Sequence, residues 1–180
     1  VVAEPGAAEA CGWEAIGIEG ATGGRGAPFK YCLNEREAGE PEGLMIYLMG
    51  GGACLREGPP PEGAAGIAAQ LHCMAYDNFT EPTDLLHGVG LLMPFFRRDA
   101  ANPFRDWAWA FVPYCTGDLH VGWADESYDY DPDPNSEFPV VHRGARNLET
   151  VLADLEDRYI PSTPTLLTGR SAGGFGAIFN

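Results

Sequence analysis

The run Gly169-Arg170-Ser171-Ala172-Gly173 sets a serine hydroxyl between two glycines. This is the pattern that holds a nucleophile on a strand-to-helix turn too tight for a Cβ at either flank. Its chemistry is nucleophilic catalysis, which also needs donors for the oxygen that gathers negative charge. Gly50-Gly51-Gly52 is the candidate, because three successive glycines leave backbone N–H groups that no side chain shields. The partners of the serine are harder to find. An elbow of this type takes its acid and its histidine from sequence after the serine, yet His72, His87, His120 and His142 all precede Ser171. Within the chain His120, two residues from Asp118, is the alternative base, weighed against a structural or substrate-contacting role.

These groups need elements to position them. Residues 163–168 read as a short buried strand leading into the elbow, and residues 172–179 open a helix. The apolar run at 44–49, bounded by glycines, suits a strand covered on both faces and delivers the three glycines at its end. Residues 107–112 form another strand, followed by Pro113-Tyr114-Cys115-Thr116-Gly117-Asp118-Leu119-His120. Polar residues past a strand's end are where α/β enzymes place ligand-binding loops, so Tyr114, Asp118 and His120 are candidate pocket residues. Upstream, residues 13–18 and 29–33 read as strands around a turn at Gly23-Gly24. Leu148, Val151, Leu152, Leu155 and Tyr159 lie on one stripe of a helix ended by Pro161. Helix, strand, elbow and helix together predict a right-handed crossover unit of a parallel sheet. Residues 64–74 are expected to be a short helix, and 84–90 and 94–103 irregular.

Composition narrows the partners. The chain has 180 residues, 45% of them hydrophobic, and a net charge of −15. That suffices for one core, and the charge disfavours nucleic acid and anionic membranes as partners, since both would repel it. No stretch approaches the eighteen apolar residues of a membrane span. Residues 1–10 read as a flexible segment ahead of the domain and lack the features of an export signal. The five cysteines, Cys11, Cys32, Cys54, Cys73 and Cys115, contain no CxxC pair, so disulfides in an exported protein fit better than zinc. Cys54 with Cys73 and Cys11 with Cys32 are the expected pairs. The carboxylates between 129 and 137 alternate as in a calcium loop but lack its central glycine and terminal glutamate, and read as a solvated acidic loop. No metal site and no cofactor is expected.

Four motifs taken in order extend the reading. Gly50-Gly51-Gly52-Ala53-Cys54, Asn102-Pro103-Phe104-Arg105-Asp106-Trp107, Val112 through His120, and Gly169-Arg170-Ser171-Ala172-Gly173-Gly174-Phe175-Gly176-Ala177 resemble the pectin acetylesterase family, which includes Notum-type carboxylesterases and many bacterial members. The resemblance runs from about residue 11 to the chain end. It implies an α/β fold with an α/β-hydrolase-like parallel-sheet core, here incomplete at the C-terminus, with residues 11–180 the N-terminal portion of a single catalytic domain. It implies Ser171 as nucleophile and the N–H groups of Gly51, Gly52 and Ala172 as the oxyanion hole. The reaction implied is hydrolysis of a carboxylic ester, acetyl or another acyl, through an acyl-serine. The family's acid and base would then lie beyond residue 180, and the chain alone is expected to be inactive. Arg170 stands where relatives often have a small residue, so its cation either borders the pocket or points to solvent. Ala53, at a position commonly aromatic in plant and animal members, fits a bacterial-type protein. The substrate expected is a small-molecule or polysaccharide ester, met in an extracellular or periplasmic location. The alternative is a binding or structural protein that keeps the scaffold without catalysis.

Overall fold

The computed structural model describes residues 13–24, 26–36, 39–53, 94–124, 127–129 and 139–180. Its strands are β1 (Glu14–Thr22), β2 (Pro28–Asn34), β3 (Leu44–Leu48), β4 (Ala108–Val112), β5 (Ser127–Asp129), β6 (Pro139–Val141) and β7 (Thr165–Gly169), with helices α1 (Gly144–Arg158) and α2 (Ala172–Phe179) on either side of β7 in the chain. The main sheet runs β1-β2-β4-β3-β7. It is mixed rather than parallel throughout: β1, β2 and β4 pair antiparallel, while β4, β3 and β7 pair parallel. The antiparallel half arises because β1 and β2 are joined by a tight glycine-containing turn, which can return the chain only antiparallel.

Alternation along β3 explains why its whole length is apolar. Leu44, Ile46 and Leu48 face a cluster completed by Leu148, Val151 and Leu155 of α1 and by Ala108, Ala110 and Val112 of β4. Met45 and Tyr47 face an aromatic cluster with Trp13, Phe96, Trp109 and Phe111. Both faces of the strand are therefore covered, as a parallel strand requires. The second cluster is floored by the turn Pro94–Phe96. The rest of the segment 94–103 is irregular, as expected, and is held by Asn102, whose Nδ2 donates to the carbonyls of Phe95 (2.8 Å) and Arg97 (2.7 Å) while its Oδ1 accepts from Phe104 N–H (3.0 Å). Arg98 lies 3.7 Å over the Trp109 ring.

Helix α1 buries Gly144, Asn147, Leu148, Val151 and Leu155, so the predicted stripe is right and extends a turn further back. Asn147 ties the helix to β1, donating to the Thr22 carbonyl at 2.7 Å and accepting from its N–H at 3.3 Å. Farther along, Asp154 accepts from Tyr31 Oη at 2.6 Å and from Arg158 Nε at 2.8 Å. Burial alone would raise the Asp154 carboxyl, but the bonds from Arg158 and Tyr31 and the Arg158 charge together hold it below the ordinary carboxylate value. Because the folded value is the lower one, the stabilisation is present above the unfolded carboxylate's pKa and fades as pH falls through the folded one. Asp154→Asn is expected to lower the urea midpoint at neutral pH by a modest amount, since water screens the pair, and to lose that deficit progressively as pH falls below the ordinary carboxylate range. An equal deficit at neutral and at acid pH would show that the charge contributes nothing.

Short strands flank the acidic segment. Ser127, Tyr128 and Asp129 pair antiparallel with Val141, Val140 and Pro139, a two-stranded ladder. Residues 130–138, between these strands, lie outside the described residues, as do residues 1–12, the expected helix at 64–74, the segment 84–90, His72 and His87. Cys32 and Cys115 are buried, whereas Cys54 and Cys73, one expected pair, and Cys11, the expected partner of Cys32, lie outside the described residues. Among the described residues no cluster of His, Cys, Asp or Glu is arranged to hold a metal ion, and no helix is long and apolar enough to cross a membrane.

Candidate active site

Strands β4 and β7 flank β3 on opposite sides, so the chain reverses its direction of travel across the sheet at β3. Such a reversal opens a crevice at the carboxyl ends of the strands, where α/β sheets bind ligands. Register brings the three predicted loops there: Leu48 of β3 is level with Val112 of β4 and with Gly169 of β7. Two residues past each of these stand Gly50, Tyr114 and Ser171.

Ser171 occupies φ 54°, ψ −122°, a conformation that a residue with a side chain adopts only under strain. It is exposed. The turn is fixed by Gly173 N–H to the Arg170 carbonyl (3.0 Å) and by Gly174 N–H to the Ser171 carbonyl (2.9 Å). The flanking glycines are needed for close approach. A Cβ on Gly173 would fall on the Leu48 carbonyl oxygen, 2.6 Å from the Leu48 carbonyl carbon, and one on Gly169 would overlap the Gly173 carbonyl. A third glycine belongs to this set: a Cβ on Gly50 would strike the Arg170 carbonyl oxygen and lie 2.9 Å from Ser171 Cβ. The first glycine of the triplet is thus the contact that lets β3's exit lie against the elbow. Gly51, Gly52 and Ala53 follow it half-buried, with Gly52 at φ 87°. Ala172 begins α2, where its N–H has no intrahelical acceptor. Arg170 is exposed.

The structure brings Tyr114, Asp118 and His120 together, and buries all three at 1%, 3% and 2% exposure. Asp118 is the hub. One oxygen accepts from Thr116 Oγ1 (2.6 Å) and His120 N–H (3.1 Å), the other from Gly144 N–H at the start of α1 (2.6 Å). Gly122 and Gly144 both come so close to that carboxylate that neither could carry a Cβ. Tyr114 Oη accepts from Leu119 N–H at 2.7 Å, and its ring lies 4.8 Å from that of His120. Leu119 and His120 both take positive φ, 61° and 59°. Nε2 of His120 donates to the Met49 carbonyl at 2.8 Å. Burial drives the His120 pKa below its ordinary value, against the opposing effects of that hydrogen bond and of the Asp118 charge. His142 stands nearby, its Nδ1 2.7 Å from the Thr116 carbonyl oxygen. Sequence reasoning found this loop but gave no sign that its polar groups turn inward. The positive φ at Leu119 and His120 carries no glycine to announce it.

The pectinacetylesterase family model matches residues 17–180. Two crystal forms of the Wnt deacylase Notum from Drosophila share the fold: one aligns with TM-score 0.61 and 17% identity, the other with 0.64 and 18%. Each alignment covers 93% of this chain but only 44% and 45% of the Notum chains, so the chain spans less than half the length of those structures. No curated protein matches it.

Proposed function

This chain belongs to the pectinacetylesterase family, and from that premise we propose that it is the Ser171-bearing part of a serine esterase acting on a carboxylic ester. The observation that carries the reading is the elbow itself: an exposed serine at φ 54°, seated on glycines, at the end of the strand beside the triple-glycine loop. In the reaction, Ser171 Oγ adds to the ester carbonyl carbon as its proton passes to a base. The carbonyl oxygen takes the negative charge between the N–H groups of Gly51, Gly52 and Ala172. Collapse breaks the bond to the alcohol, which leaves with a proton, and the acyl group stays on Ser171. Water then repeats the addition, and the carboxylic acid is released. Each step conserves charge and needs no cofactor.

His120 is a poor candidate for the base, since its Nε2 is committed to Met49 and the ring is buried. We therefore assign the acid and base to sequence following Asn180, consistent with a chain that spans under half of the Notum structures. The substrate we expect is an acetyl or other acyl ester of a small molecule or polysaccharide, encountered after export to an extracellular or periplasmic location. Turnover of an aryl acetate by the full-length protein, with and without Ser171, is the test.

A further inference from the structure

We infer that His120 is a positioning residue for the Gly50-Gly51-Gly52 loop: its imidazole donates to the Met49 carbonyl and thereby fixes the oxyanion donors relative to Ser171. The inference rests on the reading of Ser171 as nucleophile. A carbonyl oxygen can only accept, so the 2.8 Å contact from His120 Nε2 to Met49 requires the proton on Nε2. The ring has little freedom to do anything else. Its backbone is held from three directions: by Asp118 on the His120 N–H, by Tyr114 on the Leu119 N–H, and by Asn180 Nδ2 on the His120 carbonyl at 3.0 Å. From α2, Gly176 approaches so closely that a Cβ there would lie 2.9 Å from His120 Cβ.

What the ring holds is a hinge point of the site. The Met49 carbonyl shares its peptide plane with the Gly50 N–H, and its oxygen would lie 2.9 Å from a Cβ on Gly173. That peptide is thus wedged between the imidazole and the elbow. Rotating it would swing Gly50, which lies against the Arg170 carbonyl and Ser171 Cβ, and would carry the Gly51 and Gly52 amides away from the serine. A histidine that merely filled space would need no N–H at this place.

The experiment uses the full-length protein with an aryl acetate as substrate. His120→Phe keeps a ring and removes the donor, whereas His120→Gln keeps an N–H of similar reach. His120→Phe is expected to lower kcat roughly 10- to 100-fold, the effect of misplacing catalytic groups by about 1 Å, with KM changed less than about threefold. His120→Gln should recover most of that loss. Wild-type kcat in His120→Phe would overturn the inference, as would His120→Gln falling equally far while melting with the wild type. Should His120→Phe not fold, nitrogen-15 NMR of the wild-type histidines decides. A neutral Nε2–H tautomer with slowly exchanging proton supports the role, and an Nδ1–H tautomer overturns it. Failure of the serine reading is distinct, because it appears as turnover that survives loss of Ser171 and leaves the tautomer unaffected.

Discussion

In a protein that carries the proposed acid and base, Ser171→Ala is expected to lower kcat/KM for an aryl acetate by about a thousandfold or more, the scale on which removal of a serine nucleophile acts. The fold should be almost indifferent. Ser171 is exposed, and alanine must adopt the same strained φ, so urea midpoints of variant and wild type should nearly coincide. A fluorophosphonate should attach to the Ser171 peptide of the wild type and leave the variant unlabelled, locating the nucleophile independently of turnover. The loss comes wholly from chemistry because the oxyanion donors and the substrate surface are left in place. Near-wild-type turnover in the variant would sink the serine mechanism. An inactive wild type that binds an ester without cleaving it would point to the scaffold as a binding protein.

Gly173→Ala is expected to have the largest effect on stability. The added Cβ would meet the Leu48 carbonyl and come within 2.9 Å of the Met49 carbonyl oxygen. Those atoms cannot easily give, because β3 is paired with β4 on one side and β7 on the other. A backbone clash at a doubly paired strand belongs to the severe class of substitutions, about 3 kcal/mol or more. Gly174→Ala provides the comparison. There the nearest atom to the new Cβ is the Gly169 carbonyl oxygen at 3.5 Å, an ordinary contact, and alanine favours a helix over glycine by roughly 0.5–1 kcal/mol. Denaturant unfolding of the two variants should therefore separate widely, with Gly174→Ala at or above the wild type. Coincident midpoints would show that the elbow does not approach β3 this closely.

The sequence exposed those parts of the molecule where local pattern and tertiary environment agree. β3 and β4 are apolar runs because both faces of the sheet are covered, and α1 shows its stripe because one face packs on that sheet. The elbow was visible because its glycines mark backbone contacts. The start of α1 at Gly144 was not visible, since what receives its N–H is the carboxylate of Asp118, remote in the chain. The antiparallel pairing of β2 with β4 is not legible for a related reason: alternation fixes which side a residue faces, not the direction of a strand that is not its neighbour in the chain. The β5–β6 ladder is only three residues long on each side, too short for alternation to mark it. Asp118 and His120 look like solvent-facing loop residues in composition, and only their inward hydrogen bonds show that they belong to the interior. The sequence shows Gly50 as an unshielded amide, whereas its stronger constraint is steric.

Position 171 also sets what stability selection and chemical selection would each choose there. A side chain at φ 54° stores strain on the order of 1–3 kcal/mol, most of which glycine would release. Left to thermodynamic pressure alone, the residue drifts toward glycine, and with it the hydroxyl disappears. The hydroxyl at that place is therefore held at a cost to folding, recorded in a backbone angle rather than in a side-chain contact.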